Sequence, residues 1–181
     1  PGIVRFTSPA QAAGYFMLGE TTKTSAAGKE VGKTRSPFTQ PFFPQAFGLQ
    51  AGRFRKLAAT MAGVDLWMMN TGFVGGDARS VGNGVGYKVK IRHSSAMLEA
   101  LLGGEVVWRR CPHFNYELVD ISAPENAALL EAVPADILDP EAMCAGQDRT
   151  GDHQAWVSQM KEERRAFLKS YAVDADVIEA V

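Results

Sequence analysis

The stretch from Asp65 to Gly104 constrains the fold more than any other part of this chain of 181 residues. Within it the hydrophobic period changes twice. Leu66 to Met69 is a short apolar run of the kind that forms a buried strand. A polar loop punctuated by glycines follows, beginning Asn70-Thr71-Gly72-Phe73-Val74-Gly75-Gly76 and reaching Gly86. Tyr87 to Arg92 then alternates, with Tyr87, Val89 and Ile91 facing one way and Lys88, Lys90 and Arg92 the other, which predicts a second strand. Ser94 or Ser95 caps a helix that stops at Gly103-Gly104. Strand, glycine loop, strand and helix in that order bring backbone amides, basic side chains and a helix N-terminus toward one point. A nucleotide or another anion requires that arrangement.

The other segments are short and of mixed type. Ser8-Pro9 starts a helix, serine as cap and proline in the first turn, that runs from Ala10 to Leu18 and ends at Gly19. Glu20 to Pro44 is polar, threonine-rich and without clear period, so it is a functional loop or disordered. Phe38, Phe42 and Phe43 anchor its far end in the core. Arg53 to Ala62 is helical, with Phe54, Leu57, Ala58 and Met61 on one face and Gly63 as the stop. Val106 to Trp108 and Tyr116 to Ile121 read as strands, and Glu125 to Val133 as a helix closed by Pro134. Asp152 opens a last helix whose core-facing stripe is Trp156, Met160, Phe167 and Tyr171. With no repeat and no linker, the pattern predicts one mixed α/β domain over residues 1–181, short strands surrounded by helices.

Composition narrows the partners. The net charge is -1, so no global electrostatic attraction draws the chain to nucleic acid or to a membrane surface. No apolar run is long enough to span a bilayer. Cys111 and Cys144 form neither a disulfide framework nor a paired Cys-x-x-Cys ligand set, and they suit a reducing, cytoplasmic compartment as packed thiols. The opening Pro-Gly-Ile-Val-Arg-Phe lacks an initiator methionine and the pattern of a signal peptide, so the chain reads as a portion of a longer cytoplasmic protein.

Few motifs carry chemistry by themselves. Gly32-Lys33-Thr34 ends like a phosphate loop, but residue 27 is alanine where the first glycine belongs, and no apolar strand precedes it. A mobile polar loop explains it better. The basic residues Lys88, Lys90 and Arg92 fit an anion site or an exposed edge strand that resists pairing. Asn70-Thr71-Gly72 and Gly75-Gly76 fit a close backbone approach to a ligand or simple turns. Cys111-Pro112-His113 is a weak metal pair without a second pair at ligand spacing. His93 reads as a helix-start residue, His153 as a surface residue, and Asp136 and Asp139 as turn carboxylates.

The motifs taken in order resemble those of the C-terminal part of the ATP-dependent phosphoenolpyruvate carboxykinase family. Arg5-Phe6-Thr7 is similar to the family's Arg-[Leu/Phe]-Thr at a helix entry. Gly19-Glu20-Thr21-Thr22-Lys23 matches Gly-x-Thr-x-Lys, and Ala27-Gly28-Lys29-Glu30 matches Ala-Gly-x-Glu. Asn70-Thr71-Gly72-Phe73-Val74-Gly75 is similar to Asn-Thr-Gly-[Trp]-x-Gly. The basic stretch from Lys88 to Ala96, Phe114-Asn115 and Ile137-Leu138-Asp139-Pro140 complete the series over nearly the whole chain.

The resemblance implies a carboxykinase-type fold and a parent reaction in which oxaloacetate and ATP give phosphoenolpyruvate, carbon dioxide and ADP. It implies that Lys88, Val89 and Ser94 meet the adenosine end of the nucleotide. Residues 24–37 would be a lid over the cleft, with Lys23, Ala27, Gly28 and Glu30 among its motif residues. It also implies that the phosphate loop, the ligands of Mg²⁺ or Mn²⁺ and the oxaloacetate-binding arginines lie in a missing N-terminal half. That half is then the principal partner, and this chain holds no catalytic or metal-binding residue and is inactive alone. Lys88 stands where the family has arginine, and the loop Val74 to Gly86 is longer than the family's turn. Both departures favour an alternative, a carboxykinase-like fold kept as a non-catalytic binding or interaction module.

Overall fold

The computed structural model describes residues 1–23, 32–37, 42 and 46–181. In chain order the elements are β1 (Ile3–Arg5), α1 (Pro9–Leu18), β2 (Thr21–Lys23), β3 (Gly32–Thr34), α2 (Phe47–Thr60), β4 (Trp67–Met69), β5 (Phe73–Val74), α3 (Ala78–Gly82) and β6 (Tyr87–Lys88). Then come α4 (Ile91–Gly103), β7 (Trp108–Arg110), β8 (Glu117–Val119), a 3₁₀ turn (Pro124–Asn126), α5 (Ala127–Ala132), α6 (Ala135–Leu138), α7 (Pro140–Gly146), α8 (Thr150–Ser170) and α9 (Ala175–Glu179). The architecture is mixed α/β with small antiparallel sheets, as the sequence predicts. Among the described residues no helix is long and apolar enough to cross a membrane.

These elements form two compact units, Pro1–Arg5 with Trp67–Val157 and Phe6–Leu66 with Ser158–Val181. The first unit is built on a four-stranded sheet of order β4-β1-β8-β7, with every pairing antiparallel. β1 is central because both its edges are used: Val4 lies opposite Met68 on one side and Leu118 on the other, and is wholly buried. Ile3 and Val119 from this sheet, Met97 and Leu101 from α4, Ile137 from α6 and Met143 from α7 belong to one core cluster. Burying each such side chain contributes about 1.5–3 kcal/mol before conformational entropy is charged against it.

The second unit packs α1 against α2 and α9. The boundaries of α1 follow the sequence signals. The Ser8 side chain accepts the Gln11 N–H at 3.1 Å, Pro9 occupies the first turn, and Gly19 ends the helix in the left-handed region at φ 47°. Phe16 stacks on Phe54 with ring centroids 4.7 Å apart.

Several expectations are corrected here. α2 starts at Phe47 rather than Arg53, and it buries Gln50 and Ala51 while Leu57 and Met61 are exposed. Its buried stripe therefore lies a turn earlier than the apolar residues suggest. The strand at residues 66–69 is an edge strand, not a buried one, and Trp67 is 41% exposed. Val106 to Trp108 yields a strand only from Trp108; the Val107 N–H donates to Asn126 Oδ1, and its carbonyl accepts from both Asn126 Nδ2 and the Asp120 N–H. The helix expected to be the last is α8, which starts at Thr150 and is followed by α9; it buries Val157, Arg164 and Leu168, whereas Trp156, Met160 and Phe167 are half-buried. Gly32-Lys33-Thr34 is neither a phosphate loop nor an irregular loop but strand β3, paired with β2. Phe42 does not anchor a core, being 83% exposed. Phe38 and Phe43, and Ala27, Gly28 and Glu30 of the expected lid, lie outside the described residues. Lys23 lies in β2, with its side chain outside the description.

Candidate functional site

Asn70 organises the glycine loop. Its Oδ1 accepts the Gly72 N–H at 2.7 Å and its Nδ2 donates to the Phe73 carbonyl at 2.9 Å, while its own N–H donates to Gly2 O. The Gly72 carbonyl in turn accepts the Val89 N–H at 3.0 Å, and β5 pairs with β6 through Phe73 opposite Lys88 and Val74 opposite Tyr87. Asn70-Thr71-Gly72 is therefore a side-chain-stabilised turn that sets the position of β6.

The two glycines after it are shaped by packing. Gly75 has φ +76°, and a Cβ there would stand 2.6 Å from Met143 Cε and 3.2 Å from the Val85 carbonyl. At Gly76, with φ +149°, a Cβ would meet Ser80 Oγ at 2.1 Å. Only a residue without a side chain fits these positions, and what fills the space is α7 and α3. The segment read as one polar loop contains the short helix α3. Asp77 caps it by accepting the N–H groups of Arg79 and Ser80, and those bonds hold its carboxyl below the usual carboxylate range.

The strand expected over Tyr87 to Arg92 is corrected. β6 ends at Lys88 and α4 begins at Ile91, so Ser94 lies in the helix rather than capping it. Lys90 takes the cap position with extended backbone, and its N–H donates to His93 Nδ1 at 3.2 Å. The lone pair on Nδ1 makes His93 the capping acceptor, and Arg92 Nε faces its other ring nitrogen at 3.4 Å. Burial, then the charges of Arg92 and Lys90, lowers the pKa of His93. The chain turn at Ile91 breaks the expected alternation: Val89 is 2% exposed, whereas Ile91 is 88% exposed.

Lys88, Lys90 and Arg92 are all exposed around the start of α4, a 13-residue helix with no acidic residue in its first turn. Cations at a helix N-terminus oppose the helix dipole, which favours negative charge there. Lys88 Nζ lies 4.5 Å from the Phe73 ring centroid and 3.3 Å from the Thr71 carbonyl, so it stands over the glycine turn. Of the three residues assigned to the nucleotide, Lys88 is exposed, Ser94 is half-buried in the first turn of α4, and the Val89 side chain is in the core.

Sequence reasoning missed a second feature of this unit. Cys111 is a buried thiol, and among the described residues His113 is grouped with Glu141 and His153. His153 is half-buried rather than a surface residue. Asp139, expected in a turn, is 2% exposed and pairs with Arg109.

Comparison with known proteins adds the following. The family model described as phosphoenolpyruvate carboxykinase matches residues 1–126. The phosphoenolpyruvate carboxykinase (ATP) of Afipia carboxidovorans is 33% identical over 99% of this chain, an alignment covering 32% of that protein. The protein of the same name from Rhodopseudomonas palustris strain HaA2 is 33% identical over 98% of the chain and 31% of its own length. That of Cereibacter sphaeroides strain ATCC 17025 is 32% identical, with 98% and 32% covered. The chain thus spans about a third of the length of the curated relatives it matches.

Proposed function

The chain belongs to the phosphoenolpyruvate carboxykinase family, and we propose that it forms the nucleotide-side wall of an ATP-dependent enzyme of that family. The parent reaction is the conversion of oxaloacetate and ATP to phosphoenolpyruvate, carbon dioxide and ADP, in a cytoplasmic protein of which all 181 residues form a single C-terminal part. The observation that supports this reading is the set of exposed cations Lys88, Lys90 and Arg92 around an α4 N-terminus without a carboxylate in its first turn. An anion near that point relieves both the mutual repulsion of the cations and their conflict with the helix dipole.

In this reading Lys88 offers its charge to the nucleotide from over the Phe73 ring. Ser94 contributes a hydroxyl from the first turn of α4. The buried Val89 fixes β6 against the core, so its share is positional. ATP and a divalent metal, when bound, supply the phosphoryl group and neutralise its charge. Their phosphate and metal ligands come from other parts of the protein, and the chain alone is inactive. Residues 24–37 act as the lid, with Ala27, Gly28 and Glu30 in it and Lys23 immediately before it.

The test is turnover by the full-length protein with oxaloacetate, Mg²⁺ or Mn²⁺, and ATP. Formation of phosphoenolpyruvate and ADP supports the proposal. A second reading, a non-catalytic module of carboxykinase fold, is favoured by the capped helix α3 inserted in the glycine loop and by lysine rather than arginine at residue 88. Nucleotide binding without turnover selects it, and neither binding nor turnover ends the nucleotide reading.

A further inference from the structure

Three ligand-type side chains from three separate elements meet in the first unit. His113 lies in the turn between β7 and β8, Glu141 in the first turn of α7, and His153 in the first turn of α8. One donor atom from each lies within 4.8 Å of the other two. His113 Nε2 and Glu141 Oε1 are 3.0 Å apart, and the rings of His113 and His153 have centroids 5.4 Å apart at 60°.

The elements carrying the ligands are tied down by specific contacts. The Glu141 N–H donates to Asp139 Oδ1 at 3.1 Å, so the buried Asp139 cap fixes the turn from which Glu141 projects. The Arg109–Asp139 ion pair ties that cap to β7, whose far end leads directly into the turn holding His113. The His153 N–H donates to the Arg149 carbonyl at 3.1 Å, and the Arg149 guanidinium is itself held by the Val85 carbonyl at 3.1 Å and stacked on Trp156. These contacts fix the backbone from which Glu141 and His153 project.

We propose that His113, Glu141 and His153 form a divalent metal site for a borderline transition ion, Zn²⁺ being the best match. Two imidazoles and one carboxylate suit zinc, cobalt or nickel rather than the all-oxygen preference of calcium and magnesium. Metal–ligand bonds of about 2.0–2.2 Å set donor separations of about 3.4 Å in a tetrahedron. The His113–Glu141 spacing is already that short, and the ligand atoms of all three residues lie within 4.8 Å of one another. Three protein ligands leave a fourth position for water. The side chains of His113 and Glu141 are 27% and 38% exposed, so an ion reaches them from solvent. The site is distinct from the nucleotide residues and does not depend on the carboxykinase reading.

The test uses the full-length protein freed of metal by chelation, titrated with Zn²⁺ and separately with Co²⁺. Wild type is compared with His113→Ala/His153→Ala and with Glu141→Gln, each first checked for native circular dichroism. The double variant is expected to bind one zinc fewer per chain and to lose one visible d–d component of the cobalt spectrum. Glu141→Gln, which keeps the volume of the side chain, is expected to weaken that zinc by at least about tenfold. Any catalytic metal site is present in all three proteins and cancels in the difference. Equal zinc number and affinity in wild type and double variant, or identical cobalt spectra, overturns the site.

Discussion

Arg109 of β7 and Asp139 at the N-cap of α7 form an ion pair in which the carboxylate is almost completely buried. Asp139 works twice, because its other oxygen accepts the N–H groups of Glu141 and Ala142 at 3.1 Å each. Burial opposes the charge on Arg109, but the hydrogen bond and charge of Asp139 outweigh it and raise its pKa. Asp139→Asn keeps a capping acceptor yet leaves Arg109 without its counter-charge, whereas Asp139→Ala removes both. The expected losses are about 1.5–3 kcal/mol for asparagine and about 3–5 kcal/mol for alanine. Urea denaturation of the two variants checks the order, and equal losses would show that the cap contributes nothing beyond the charge.

Lys88 stands over Phe73 rather than in a buried ion pair, so its replacement changes binding more than stability. Lys88→Ala is expected to weaken ATP binding by the full-length protein about two- to fivefold, the equivalent of about 0.5–1 kcal/mol for an exposed cation near an aromatic face. Lys88→Arg restores a planar cation over the same ring and should bind at least as well as wild type. Equilibrium binding with a fluorescent ATP analogue reads both. An alanine variant with unchanged affinity removes Lys88 from the site.

The contrast between α1 and α4 explains what the sequence made legible. Ser8, Pro9 and Gly19 are local signals, and each does in the structure what its residue type favours, so α1 was readable within a residue. At residues 87–92 the alternation of apolar and basic side chains is equally compatible with a strand. The outcome is decided by two bonds that no periodicity encodes, His93 Nδ1 accepting the Lys90 N–H and Gly72 O accepting the Val89 N–H. Likewise His113, Glu141 and His153 carry no ligand spacing along the chain, because the β7–β8 turn and the starts of α7 and α8 come together only in the folded unit. The family resemblance was legible because it rests on ordered short motifs, which survive shifts in where elements begin.

Gly75 is a packing requirement between the glycine loop and α7. In Gly75→Ala the new methyl meets Met143 Cε, and the residue must hold φ +76° with a side chain. The Met143 tip could turn away, but Met143 is 1% exposed and the Val85 carbonyl closes the other side. The expected destabilisation is about 1–3 kcal/mol. Combining it with Met143→Ala should cost less than the sum of the two single changes, since one clash is relieved. Strict additivity in denaturation midpoints would show that Met143 is not what Gly75 accommodates.

Glu20 gives the second unit a pH dependence whose sign can be worked out. Arg164, itself buried, donates from Nε to Oε1 at 3.0 Å and from Nη2 to Oε2 at 2.6 Å, and donates from Nη1 to the Tyr15 hydroxyl at 2.9 Å. Arg35 adds a bond from Nε to Oε1 at 2.8 Å. Burial would raise the Glu20 pKa, but the bonds and charge of Arg164, followed by those of Arg35, outweigh it and lower it from the ordinary 4.5. A carboxyl whose folded pKa is depressed stabilises the fold fully above its unfolded pKa and loses that contribution as pH falls through the folded value. Glu20→Gln should therefore cost about 1.5–3 kcal/mol at about pH 7. Its deficit should narrow below about pH 4.5, as the wild-type carboxyl takes up the proton that glutamine mimics. Urea denaturation of both proteins at steps from about pH 7 to about pH 3 follows the gap. A gap that stays constant across that range would mean that the Glu20–Arg164 charge pair does not stabilise the unit.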